Sequence, residues 1–290
     1  MSVYKHEYRA YTGRLTPQWA RVGVVSRYAI GEAWSSRITL GMFTLSMLPV
    51  IVFLTGIFLA NNPLARVLVL RGNPLLEINA AYFVKVLSTQ CWLALALTAW
   101  IAPRLLSFDL TDNALPILLS RPLSRFGYVF GKFIALFSCL SLVTWVPTLL
   151  LFAYQGYSSS TPWLAANLHI AIGIFFGAVL WITFLSILGL ALSSWVKWRA
   201  VATGVIFAAL LVPAGVGGIV TAILRTRWGF LLNIPVMMTQ LWQDFLGAPQ
   251  SMRESLRLPS TAIVIVLASV CLICLAMLNA RIRGREVVRG

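Results

Sequence analysis

The stretch GYVFGKF, at Gly127–Phe133, comes closest to a chemical motif in this sequence. It places three residues between Gly127 and Gly131, and Lys132 follows. A phosphate-binding loop needs four residues between its glycines and a Ser or Thr after the lysine, and it lies between a strand and a helix. Here the spacing is one residue short, Phe133 replaces the hydroxyl, and an apolar run follows directly. We therefore expect no ATP binding through this segment.

The remaining reactive groups are a cysteine pair, a histidine and two carboxylates. Cys271 and Cys274 have redox or metal-pair spacing, but no His or carboxylate accompanies them, so apolar packing is the expected role. His169 lies near the end of an apolar run, where an interfacial imidazole is the default and a proton relay the alternative. Only Asp109 and Asp112 form a close acidic pair, and the HExxH and GxSxG patterns are absent. The sequence predicts no catalytic residue and no metal site.

The elements that carry these residues belong in a bilayer. Mean hydropathy is +0.85 and charged residues make up 11% of the chain, against about 25% in soluble domains. A spanning helix needs about 20 mostly apolar residues. Six segments qualify and predict an all-α integral membrane protein with a transmembrane domain over 40–280: 40–60, 82–102, 130–153, 164–192, 200–224 and 261–280.

Basic residues predict the orientation of these spans. With the N-terminus in the cytoplasm, sixteen Lys and Arg lie on the inner side and seven on the outer side. The excess favours two cytoplasmic termini and a multi-pass protein of the cell (cytoplasmic or inner) membrane. The net charge of +15 then reflects topology and attraction to membrane lipids, and no extramembrane domain is large enough for nucleic-acid binding. The span cores lack charged residues, which argues against an ion-driven carrier.

Three further segments flank the spans. Residues 1–39 form a cytoplasmic N-terminus in which 16–38 predict an amphipathic helix in the headgroup region; packing on the other spans is the alternative. Residues 225–259 on the outer side predict a short helix or helical hairpin in the outer leaflet, because they hold too many polar groups for a lipid-facing span. Residues 281–290 form a basic cytoplasmic tail.

The cytoplasmic segment between the second and third spans contains residues that favour a short helix with defined ends. Asn113 can cap a short apolar helix over 114–119. Arg121 precedes Pro122 and is biased away from helix, so the helix breaks there. Ser124 can then cap the third span. An apolar helix at this boundary needs a partner surface, whereas an ordinary basic loop is the alternative interpretation.

The residues from Asp109 to Lys132 resemble the cytoplasmic signature of type-2 ABC transporter permeases. The pattern is two acidic residues before Asn-Ala-Leu, then LLSRPLSR, an aromatic residue and Gly-Lys. The six spans, the N-terminal interfacial helix and the outer segment before the last span are similar too. This chain departs from the family by Asn113-Ala114, where many members have Gly-Thr, and by Asp109, where Glu is frequent.

The resemblance implies the membrane-spanning subunit of an ABC exporter, not an enzyme. Two permeases, as a homodimer or a heterodimer, would form the pathway, and separate ABC ATP-binding subunits would carry ATP and Mg. This chain itself would hold no cofactor. The segment 113–120 would be the coupling helix that docks on an ATPase. Its expected docking residues are Asp109, Asp112, Asn113, Leu115, Leu118, Leu119, Arg121, Pro122, Ser124 and Arg125. Candidate pathway residues on the first and fifth spans are Met42, Phe43, Ser46, Met47 and Thr203.

Two other functions share parts of this pattern. A non-transporting subunit that anchors an ATPase in a larger assembly would keep the same coupling helix. A membrane-embedded lipid-modifying enzyme would need clustered His, Asp or Glu at the interface, and only Asp109 and Asp112 offer themselves. The small residues Gly173 and Gly177 are expected to serve helix packing.

Overall fold

The computed structural model describes residues 17–63, 77–111, 124–159, 162–196, 198–250, 252 and 254–283. These residues form α-helices and two short 3-10 helices, and no strand occurs among them. The α-helices are α1 (Gln18–Trp34), α2 (Arg37–Asn61), α3 (Ala80–Thr111), α4 (Arg125–Ser141), α5 (Trp145–Ser158), α6 (Trp163–Ala166), α7 (Leu168–Trp195), α8 (Arg199–Leu224), α9 (Ile234–Leu246) and α10 (Ser260–Arg283). The 3-10 helices are Arg227–Leu232 and Glu254–Leu256.

Six stretches of helix are long and apolar enough to cross a membrane, which confirms the expected number. They are α2, the first part of α3 (Ala80–Leu106), α4 with α5 (Arg125–Ser158), α7, α8, and Glu254–Arg281, which contains most of α10. Each contains an 18-residue window of mean hydropathy between 1.4 and 2.9. The chain is a multi-pass helical membrane protein.

Contacts between the spans show that they alternate in direction. The Trp181 indole N–H donates to the Cys91 carbonyl at 3.1 Å, and a Cβ at Gly189 would lie 2.7 Å from Thr98 Cγ2. From the first contact to the second, the residue numbers rise on both helices, so α3 and α7 are parallel. The Thr203 hydroxyl donates to the Ala99 carbonyl at 2.8 Å. Arg199, one turn earlier on α8, lies over Trp100, one residue later on α3, so α8 runs antiparallel to α3.

The core lies around α3 and α7, and three spans are peripheral. About half of the apolar window of α3 and of α7 is buried (50% and 56%), against 11%, 17% and 22% for the spans of α2, α8 and α10. The exposed faces of these three helices carry Ile, Leu, Val and Phe rather than polar side chains. Lipid or another apolar protein surface must therefore cover them.

The third span is broken between α4 and α5, which the hydropathy pattern does not show. Pro147 has no N–H to donate to the Val143 carbonyl, and its ring would clash with that group in a continuous helix. The backbone turns at Thr144 (φ −101°, ψ −90°), where the N–H and the hydroxyl both donate to the Leu140 carbonyl, at 3.0 and 2.9 Å. The Thr148 hydroxyl donates to the Thr144 carbonyl at 2.7 Å. Threonine hydroxyls thus satisfy backbone groups that the break exposes.

The N-terminal helix α1 packs lengthwise on α4. Val22, Ala29 and Ala33 are buried at helical spacing, whereas Trp19 and Tyr28 are exposed. Packing on another span, the alternative stated from the sequence, therefore takes place. The exposed aromatic side chains leave an apolar outer face for a headgroup region, so the interfacial location stays a prediction.

The segment before the last span folds into the short helix α9, seated against α7 and α3. Both ends of α9 have typical helix-capping residues. The Asn233 side chain accepts from the Val236 N–H at 3.1 Å, and Gly247 ends the helix with a positive φ of 66°. Met237, Met238 and Trp242 are buried, so α9 belongs to the packed interior of the described bundle.

Candidate functional site

The segment between the second and third spans is described only at its two flanks. α3 continues to Thr111, and Asp109 lies in its last turn. At the other flank the Ser124 oxygen accepts a 3.0 Å hydrogen bond from the Gly127 N–H, which confirms the predicted cap, and Arg125 is the first residue of α4. The other expected docking residues lie outside the described residues: Asp112, Asn113, Leu115, Leu118, Leu119, Arg121 and Pro122.

The near-match to a phosphate loop lies within the first turns of α4. A Cβ at Gly131 would lie 2.8 Å from Val25 Cγ1 and 3.3 Å from the Val22 carbonyl oxygen. Lys132 is buried, and its ammonium lies 5.8 Å from the centroid of the Tyr128 ring. The missing side chain at Gly131 therefore lets α1 approach α4 closely, a helix-packing role rather than a phosphate-cradling one.

The candidate pathway residues line neither of the two large cavities of the described structure. The buried Ser46 hydroxyl donates to the Phe43 carbonyl of its own helix at 2.6 Å. The Phe43 ring packs edge-on against Trp34, with 5.0 Å between centroids. Met42 and Met47 are half-buried against the core, and Thr203 joins α8 to α3. Their role in transport stays a prediction, because the two large cavities described below have other walls.

The first of these cavities lies between α2, α3 and α9, and we name it the Lys85 cavity. Its volume is about 680 Å³. Such a volume lies within the range of about 300–1,000 Å³ that small-molecule sites occupy. Its walls are Pro49 from α2; Ala81, Val84, Lys85, Ser88, Thr89, Trp92 and Leu93 from α3; and Thr239, Gln243, Ala248 and Pro249 from α9 and the turn after it.

Polar and apolar side chains share the walls of the Lys85 cavity. Lys85, Ser88 and Thr89 follow the i, i+3, i+4 spacing of one helix face, and Thr239 and Gln243 do the same on α9. Trp92 and Leu93 lie two turns deeper along α3. The sequence analysis did not predict this cavity. The i, i+3, i+4 hydroxyls beside Lys85 were the available signal, but without α9 they have no opposite wall.

The second cavity is a groove between α7 and α10 of about 750 Å³. Its walls are almost entirely apolar, and they include Phe176, Leu180, Val264 and Leu267. His169 contributes to this groove and is exposed, the surface location expected for an interfacial histidine. His169 and Thr183 are the polar side chains among the lining residues, so hydrocarbon is the occupant that most of this groove suits.

Two Arg–Trp contacts lie at one end of the bundle, which we name the Arg–Trp end; a third, between Arg227 and Trp228 at 5.2 Å, lies at the opposite end. The Arg199 guanidinium lies 4.2 Å from the centroid of Trp100, and Arg281 lies 5.4 Å from that of Trp195. The Arg281 Nε–H also donates to the Ser194 carbonyl at 3.1 Å. Stacked Arg and Trp at the ends of spans are typical of a membrane–water boundary. The flanks of the 112–123 segment lie at this same end, where α3 finishes and α4 begins.

The fold and these sites define a class: a polytopic, all-helical membrane protein whose recognisable chemistry is confined to cavities and boundaries. Comparison with protein-family models found no match, and comparison with curated protein sequences found none either.

Proposed function

We propose that the chain is the transmembrane permease subunit of an ATP-binding cassette exporter. Two permeases would form the pathway, as a homodimer or a heterodimer, and separate ATPase subunits would dock on the 113–120 coupling helix. The proposal puts the Arg–Trp end, with both termini, in the cytoplasm of a cell whose inner membrane holds the six spans. ATP and Mg would bind the partner chains and not this one.

One observation carries the proposal: the Asp109–Lys132 pattern connects two helices, α3 and α4, that are both packed into the bundle. α3 continues to Thr111 and carries Asp109 in its last turn. α4 begins at the Ser124 cap and is braced along its length by α1. A displacement of the coupling segment would thus act on α3, which lies in the core, and on α4 and α1 as a packed pair.

The peripheral spans support the pairing of two such chains. α2 and α8 both contact α3 but leave most of their apolar surface exposed, with 11% and 17% of their windows buried. A second permease placed there would cover this surface and create a seam beside the central helix α3. Closure of the ATPase subunits would rotate the two permeases against each other and change the opening of that seam.

The test is docking. Replacing both Leu118→Asp and Leu119→Asp should release the ATP-hydrolysing partner, because each leucine loses about 1.5–3 kcal/mol of apolar burial and would place a charge in the groove. Affinity-purified chain from its own cells should then carry at least about tenfold less ATPase activity. The matched control is Leu118→Met with Leu119→Met, which keeps the surface apolar and should keep the partner.

Two results would contradict the proposal. The first is undiminished ATPase activity with the aspartate pair, since docking could then not depend on this helix. The second is saturable ATP binding by the purified chain alone, which would put the nucleotide site in the wrong subunit. Unchanged elution of the variants in size-exclusion chromatography shows that the spans remain folded.

A further inference from the structure

We propose that the Lys85 cavity binds an amphiphile with a hydroxylated phosphate headgroup, its phosphate on Lys85 and its hydrocarbon tail along Trp92 and Leu93. This deepens the proposed function, on which it rests for transport, by naming the chemical class of a ligand. The binding itself is a property of this chain alone.

The charge of Lys85 has no counterion within the described structure. Lys85 lines the cavity, is exposed, and makes no ion pair with any described residue. Asp244, the acidic residue on α9, is already engaged by Arg257 at 2.6 Å, Gln250 at 2.7 Å and Ser260 at 3.0 Å.

The surrounding end of the bundle is positive as a whole. Seven Lys and Arg lie on this side of the spans, against the three acidic residues Glu77, Asp244 and Glu254. A cation in a recess lined by apolar walls, inside a positive rim, attracts anions and disfavours cationic ligands.

The hydroxyl groups of the cavity wall indicate which kind of anionic headgroup would bind. Ser88 makes no hydrogen bond within the described part of the chain, so it can donate to a phosphate oxygen beside Lys85. Thr89 already donates to the Lys85 carbonyl and Thr239 to the Pro235 carbonyl, both at 2.9 Å. Both oxygens are left as acceptors, and the one beside Lys85, that of Thr89, suits a hydroxyl donor of a glycerol-like or sugar-like headgroup. Thr239 lies further along the cavity, beside Trp92.

The cavity is long enough to hold a hydrocarbon tail as well as a headgroup. From Ala81 to Leu93 the lining of α3 runs over about 18 Å of helix axis, roughly half of a bilayer. Lys85 and Ser88 lie nearer the start of the span, and Trp92 and Leu93 lie towards its middle. A headgroup at the boundary with a tail towards the bilayer centre has the same polarity as a lipid in one leaflet.

The experiment measures lipid binding to the purified full chain in a neutral detergent by native mass spectrometry. The probes are phosphatidylglycerol and phosphatidylcholine with the same acyl chains. We expect phosphatidylglycerol to bind about tenfold more tightly, because the choline of phosphatidylcholine brings a second cation beside Lys85 and offers no hydroxyl donor. Lys85→Gln should reduce this preference, because the repulsion of choline is lost, and Ser88→Leu, which fills the cavity while leaving the lysine, should weaken binding of both lipids.

The control is Arg225→Asn, which removes one positive charge from the same end of the bundle outside the cavity. Arg225 has a φ of 49°, a conformation that Asn tolerates well. Equal binding of the two lipids by the unmodified chain, or equal losses in Lys85→Gln and Arg225→Asn, would overturn the proposal. Competition by free glycerol phosphate as strong as by the lipid would overturn the role of the tail. If Ser88→Leu fails to fold, Lys85→Gln still decides, because Lys85 is exposed.

A second measurement identifies the source of the bound molecule. In the complex with its ATPase, phosphatidylglycerol that is cargo should stimulate ATP hydrolysis in the unmodified chain and not in Lys85→Gln. A resident bilayer lipid should leave hydrolysis equal in both. Either result supports the site, and loss of ATPase docking would count against the proposed function without affecting the lipid-binding result.

Discussion

Gly173 sets how closely α9 can approach α7, and substituting it tests the packing of the buried outer segment. A Cβ at Gly173 would lie 2.6 Å from the Phe245 carbonyl oxygen and 2.9 Å from its carbon. Those are backbone atoms, which no rotamer change can move. Reaching an ordinary C···O separation of about 3.3 Å requires α9 to retreat by about 0.7 Å.

The expected cost of Gly173→Ala follows from three terms. Overpacking of a tight interface costs about 1–3 kcal/mol. The retreat also stretches the 3.1 Å hydrogen bond from the Trp242 indole N–H to the Gly177 carbonyl, worth about 1 kcal/mol. Alanine regains about 1 kcal/mol of helix propensity over glycine. We expect a net loss of about 1–3 kcal/mol in the free energy of unfolding.

The assay is reversible unfolding in mixed detergent micelles, followed by tryptophan fluorescence and circular dichroism. Gly204→Ala is the matched control, because a Cβ at Gly204 in α8 would meet nothing within 4 Å. It should be neutral or stabilise by up to about 1 kcal/mol. If Gly173→Ala is as stable as Gly204→Ala, then α9 does not rest on α7 as described and the walls of the Lys85 cavity are wrong.

Two further predictions concern the buried glutamines and the orientation of the chain. Gln240 donates to the Leu258 carbonyl at 2.6 Å and accepts from the Leu258 N–H at 3.3 Å, whereas neither amide atom of the buried Gln90 has a partner within the described structure. Gln240→Leu should therefore destabilise by about 2–4 kcal/mol and Gln90→Leu should be neutral or stabilising in the same unfolding assay; equal effects would contradict this account. A cysteine introduced at Ser120 should resist a membrane-impermeant thiol reagent in intact cells, whereas one at Thr226 should react. The native cysteines give little background, because three are buried and Cys271 is half-buried. Labelling of Ser120→Cys from outside would reverse the proposed topology.

Short-range signals in the sequence were sufficient for the number of spans and for several helix ends. A run of apolar residues partitions into a bilayer whatever its neighbours are, so hydropathy alone predicts six spans. A cap needs only the side chain and the first turn beside it, and the Ser124 cap is present as expected. Gly173 and Gly177 were likewise assigned correctly to packing, although the helix that they contact was not named.

Other features depend on which helices are neighbours. Hydropathy does not reveal a break within an apolar run, and Pro147 alone does not determine whether a helix bends or ends. Here the packing around Thr144 decides that it stops. The segment 225–259 contains a short helix, one of the two forms predicted, and its place in the outer leaflet stays a prediction. The sequence did not show that Gln240 and Trp242 find backbone partners within the bundle, so that α9 is buried.

The Lys85 cavity shows most clearly which features follow from the sequence and which depend on tertiary packing. The order of residues along α3 places Lys85, Ser88 and Thr89 on one face, since a helix repeats every 3.6 residues. A face becomes a site only when another surface stands opposite it, and here that surface comes from α9, more than 140 positions further along the chain. Local periodicity determines which side chains point together, whereas the enclosed volume between them exists only once distant helices have packed.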